Sequence, residues 1–158
     1  MMGILQVASY IYKRYMDDFG VRIDEMKLHK LLYFTQRECL IQKGEPMFEA
    51  LFEAWKYGPV MVQIRQYYKN DSFPELMDKE QVVQYEPVLD MVFKTYAPQK
   101  SWSLSTLTNG EYSWKHAREG YDELDSCEVE MKTEDIMVDA NRVRERRAVL
   151  RQLNLYNA

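Results

Sequence analysis

The sequence predicts a mainly α-helical, compact domain with a small two-stranded β element. Three observations predict it. Apolar residues recur at spacings of three and four in at least four segments, as a helix with one buried face requires. Six glycines and five prolines in 158 residues leave no room for a long flexible linker. Hydrophobic residues make up 46% and aromatics 13%, a globular composition in which disorder has no place. The length is about one domain's worth, so residues 1–158 are read as a single domain.

The elements follow in order. Ile4, Val7, Ala8, Ile11 and Tyr15 form a stripe that predicts a helix from Ile4 to Asp17, with Gly20 as its stop. Asp24 is a cap for the next helix, and Ile23 is placed to pack on Leu28 as a hydrophobic staple. Leu28, Leu31, Leu32, Cys39 and Leu40 then line one side of that helix, which ends near Gly44. After Pro46, periodicity does not decide between extended chain and a short helix; a strand near Glu53–Trp55 is the reading adopted. Gly58-Pro59 reads as a helix start, because proline suits the first helical position, with Val60, Ile64, Tyr67 and Tyr68 inward as far as Asn70. Residues 73–86 read as loop, or at most a short helix. Pro87 opens the next helix, with Val88, Met91, Val92 and Tyr96 inward, and Pro98 stops it. Ser101 to Gly120 reads as two short helices around Asn109-Gly110, the second capped by Ser113. A short strand near Glu128–Met131 and a last helix capped by Thr133, with Ile136, Ala140, Val143 and Leu150 inward, complete the chain.

Charge and motif content exclude several functions. The net charge of −4 is not that of a polycation for nucleic acid. No apolar run reaches the length of a transmembrane helix, and Met1 to Leu5 lacks the basic-then-apolar order of a signal peptide. Cys39 and Cys127 are lone cysteines, which fits a reducing cytoplasm as the expected location. His29 and His116 have no partners at metal-ligand spacing, so no metal and no cofactor are expected. His29 is read as a structural or solvated residue on a helix surface, and Cys39 as a small buried hydrophobe. No phosphate loop or nucleophile elbow is present. The six acids from Glu119 to Glu130 lack the order of a calcium loop and read as a solvated acidic loop. No catalytic residues are assigned, and the protein is not read as an enzyme.

Two strings are sharper than composition. One is Lys27-Leu28-His29-Lys30-Leu31-Leu32-Tyr33-Phe34-Thr35-Gln36. The other, after Gly44-Glu45-Pro46-Met47-Phe48, is Glu53-Ala54-Trp55-Lys56-Tyr57-Gly58-Pro59-Val60. In order and spacing they resemble the Panacea domain, the SocA-like antitoxin or phage-associated GepA-like family. Leu104-Ser105, Leu107-Thr108 and Trp114-Lys115 with Ala117-Arg118 are a weaker third match; where the family commonly has Thr-His and Pro-Trp, this chain has Thr108-Asn109 and Ser113-Trp114. The motif residues read as architecture first: Leu28, Leu31, Leu32 and Phe34 pack the second helix, and Trp55 and Tyr57 lean on it. Lys27, Lys30 and Gln36 either satisfy buried carbonyls or meet a partner.

The resemblance implies an antitoxin: a module that binds a cognate toxin protein and neutralises it, in at least one member as an adaptor delivering the toxin to a protease. The alternative is a phage- or mobile-element-encoded regulator that reaches nucleic acid through the basic last helix. That helix carries Arg142, Arg144, Arg146, Arg147 and Arg151. Arg144, Arg147 and Arg151 share a face at spacings of three and four and form the candidate partner surface. Their stems are expected along the apolar rim with the guanidinium heads in water.

Overall fold

The computed structural model describes residues 1–74 and 76–154. It is mainly α, with one small sheet. The order is α1 (Ile4–Phe19), α2 (Glu25–Lys43), β1 (Phe52–Trp55), β2 (Gly58–Met61), a 3-10 turn (Val62–Ile64), α3 (Arg65–Lys69), α4 (Lys79–Thr95), α5 (Ser101–Asn109), α6 (Tyr112–Ala117) and α7 (Thr133–Gln152). Helices α1, α4, α5 and α7 and strand β2 all pack on α2.

The first two helices start and stop where their capping residues dictate. Gly20 and Gly44 end α1 and α2 in the left-handed conformation, and the Asp24 carboxylate accepts a hydrogen bond from the Lys27 amide. The expected one-sided burial of α2 is wrong. Every residue from Lys27 to Leu40 is buried, so α2 is a central helix enclosed by the others. Its polar side chains remain inside because each has internal partners. Lys27 Nζ donates to the Ala97 carbonyl at 3.0 Å, and Thr35 Oγ1 to the Leu31 carbonyl at 2.7 Å. Gln36 clamps the segment after α2: its Nε2 donates to the Phe48 carbonyl, while its Oε1 accepts from the Met47 and Phe48 amides.

The helix expected at Gly58-Pro59 is instead strand β2, antiparallel to β1 with Ala54 opposite Pro59 and Trp55 opposite Gly58. The same proline that fits a first helical turn also fits an edge strand, where its missing N–H is not needed. On the other side of β1, the Ala54 amide donates to the Val129 carbonyl and the Met131 amide to the Phe52 carbonyl. The expected strand at Glu128–Met131 is thus a single bridge, Glu53 opposite Glu130.

Helix α4 begins eight residues before Pro87, at Lys79, on a capping box in which Asp78 and Gln81 bond each other's amides. Pro87 lies inside it on an exposed face. Ser113 does not cap α6, which starts at Tyr112; the carboxylate of Asp139, from α7, accepts from the Tyr112 and Ser113 amides at 2.8 and 2.9 Å. Thr133 is the first residue of α7, not its cap.

Candidate functional site

Both motif strings converge on one place. On α2, Leu28, Leu31, Leu32, Tyr33 and Phe34 are core residues. Tyr33 shares a hydrogen bond with Ser113 at 3.1 Å, and Phe34 stacks on Tyr96 with ring centroids 3.9 Å apart. Lys27, Lys30 and Gln36 all satisfy internal carbonyls, so the first of their two readings describes their geometry. Ala54 and Val60 are buried in the sheet. Gly58 has φ +111°, and a Cβ there would lie 2.5 Å from Thr108 Oγ1 and 2.7 Å from Lys30 Cε. The glycine is therefore required by both the backbone and the lysine stem beneath it.

Around Lys30 opens a cavity of about 480 Å³. Met26, Trp55, Tyr57, Val60 and Cys127 supply apolar surface, and Glu25, His29, Lys56, Arg65 and Glu128 supply charge or hydrogen-bonding groups. Trp55 is half-buried at this cavity, not a core ring; its Nε1 donates to Glu53, and the Arg65 guanidinium lies over its face at 5.1 Å. Tyr57 is exposed and tilts against Trp102. Trp114 is buried and donates from Nε1 to the Trp55 carbonyl at 2.8 Å.

His29 is buried, not on a helix surface. Its Nδ1 accepts from the Met61 amide at 3.1 Å, so the proton sits on Nε2, which donates to Glu25 at 3.0 Å. Burial pushes the imidazole below its usual value, outweighing Glu25. The His29 hydrogen bond, with that of Arg65, holds Glu25 at about 2 against the opposing effect of burial. The Lys30 ammonium is pulled by burial down to about 7. Cys39 is buried and its thiol is pushed up to about 11, so it is a packing residue.

The basic last helix is arranged differently from the expectation. Arg144 donates from Nη2 to the Leu40 and Ile41 carbonyls at 2.8 and 3.0 Å, closing the C-terminal end of α2. Arg147 grips both oxygens of Glu38, with its side chain 13% exposed. The Arg147 head is therefore turned inward on Glu38, whereas Arg144 and Arg151 keep to the exposed side of the helix. Arg146 and Arg142 line a second cleft of about 470 Å³ together with Arg37 and Glu111. Arg37 pairs with Glu111 there and donates to Tyr96 Oη, and burial raises the Glu111 carboxyl to about 7 against the pull of Arg37.

Three anchors escaped sequence reasoning: Arg118, Asp139 and the Arg37–Glu111 pair. Buried Arg118 holds the acidic loop through the Asp122 and Asp125 carbonyls and β1 through the Ala54 carbonyl. The only sequence signal for Arg118 is its place in the third motif match. Among the described residues no group of three or more metal-ligating side chains is found, and no helix is long and apolar enough to cross a membrane.

The family model for "Antitoxin SocA-like, Panacea domain" matches residues 28–115, over half of the chain. The chain belongs to the SocA-like Panacea antitoxin family. A 40-residue stretch is 48% identical to Antitoxin SocA of Caulobacter vibrioides (strain NA1000 / CB15N), covering 25% of this chain and 21% of that protein. The alignment thus spans about a fifth of the curated relative. No solved structure matches. The Panacea-matched region holds the Lys30 cavity's two motif walls and Trp114, while α7 with its arginines lies beyond it.

Proposed function

We propose that the protein is an antitoxin that binds a cognate protein toxin and neutralises it in the cytoplasm, acting through residues 1–158 as one domain. The observation that carries this reading is the family match over residues 28–115, supported by the likeness to Antitoxin SocA. Its role is binding, not catalysis. The Cys39 thiol is buried, and both nitrogens of His29 are occupied, so neither is placed as a nucleophile or base. Delivery of the toxin to a host protease is the finer form of the same reading. Against a nucleic-acid regulator stands the pairing of Arg147 with buried Glu38, which turns one of the three heads of the proposed stripe inward.

The test is genetic. A toxin gene beside this one is expressed alone and together with the antitoxin. Growth arrest by the first and growth with both is the expected result; arrest that co-expression leaves unchanged contradicts the reading.

A further inference from the structure

Lys30 is a charge buried beside a cavity. Its side chain is 2% exposed, yet Nζ has one acceptor, the Pro59 carbonyl, at a long 3.3 Å. An ammonium has three donors, so two are unused. Among the described residues no carboxylate is in ion-pair contact with it; Asp24 and Glu25 act on it only from a distance. A buried charge without a contacting counter-ion is costly, and the cavity beside it has room for one.

We propose that this cavity is a binding site for a carboxylate carried on an apolar or aromatic body, with Lys30 as its ion partner. The walls fit the body: Trp55, Tyr57, Val60 and Met26 are apolar, and the volume lies in the range of small-ligand sites. The charges fit the head. Arg65 and Glu25 pair with each other, which leaves Lys30 and Lys56 against Glu128, so the balance favours an incoming anion. Burial draws the Lys30 ammonium down to about 7, so an incoming carboxylate is favoured together with uptake of a proton by this amine. A purely structural Lys30, fastening Pro59, gives no preference for an acid.

The acid–amide comparison is independent of the toxin reading; only the last arm, which adds toxin, rests on it. The full ¹⁵N-labelled chain is titrated with 3-phenylpropionate and, separately, with its primary amide. The amides of Gly58 and Cys127 report on the cavity. Saturable shifts with the acid, and binding of the amide weaker by about ten-fold or more, are expected. Lys30→Met is expected to erase that preference. Equal binding of acid and amide, or no saturable shift with the acid, overturns the proposal. The acid–amide comparison on the unmodified chain decides it even if Lys30→Met does not fold. Adding toxin then separates the sources: displacement of the probe assigns the carboxylate to a toxin side chain, and retention assigns it to a free small acid.

Discussion

Arg147 of α7 donates to both carboxylate oxygens of Glu38 on α2, at 2.8 and 2.9 Å. Glu38's side chain is 1% exposed, so this pair ties the last helix to the centre of the fold. Removing one partner of a buried pair leaves the other charge uncompensated, which costs about 3–5 kcal/mol. Arg147 retains some exposure, so Glu38→Gln is expected near the lower end, read as a drop in the urea midpoint. A midpoint unchanged from the parent shows that the pair contributes nothing. For the same reason, charge reversal at Arg147 tests stability before it tests partner binding.

Gln36 makes three hydrogen bonds to Met47 and Phe48. Gln36→Ala strands those buried groups and is expected to cost about 3 kcal/mol. Gln36→Glu keeps the acceptor but loses the donor to the Phe48 carbonyl, so it also destabilises. Equal stability of all three chains in denaturant titrations contradicts the clamp.

Gly58 and Gly44 both have positive φ, at 111° and 74°, but only Gly58 is crowded. Gly44→Ala is expected to cost about 1–2 kcal/mol of backbone strain alone. Gly58→Ala adds a clash with Thr108 and Lys30, and about 3 kcal/mol or more in total is expected. Equal melting shifts for the two variants remove the packing argument.

Lys30 gives the fold a pH dependence with a defined sign. Burial lowers its ammonium from 10.5 to about 7 in the folded chain. Between those values the unfolded chain holds a proton that the folded chain has released, so this group makes stability rise with pH across the window. Below about 7 its full penalty is present. The difference in stability between the parent and Lys30→Met, followed over the window, isolates this contribution from the tyrosines. A pH-independent difference shows that the amine is solvated.

Much of this fold is legible in the sequence wherever a local signal is unambiguous. Asp24, Gly20 and Gly44 mark α1 and α2 because capping chemistry is local. Pro59 misleads because one residue type serves both a helix start and an edge strand, and only the β1 partner decides. The Asp78–Gln81 box was readable, but Pro87 draws attention away from it. Helix α2 hides its central position because Lys27, Arg37 and Glu38 interrupt its apolar pattern, and their partners lie on distant elements. The motif strings locate Lys30 and Trp55, yet the cavity between them also needs Ser126–Glu128 and Arg65, which no local pattern connects.

Antitoxin action by direct binding is the central claim, and a physical complex is its most direct test. The purified chain is mixed with the purified product of a toxin gene identified by the growth test and resolved by gel filtration with light scattering. A single co-eluting species with the summed mass of both proteins, formed while toxicity is suppressed in cells, is the predicted result. Two separate peaks from the same proteins that rescue growth in cells would contradict it, because neutralisation would then proceed without a complex.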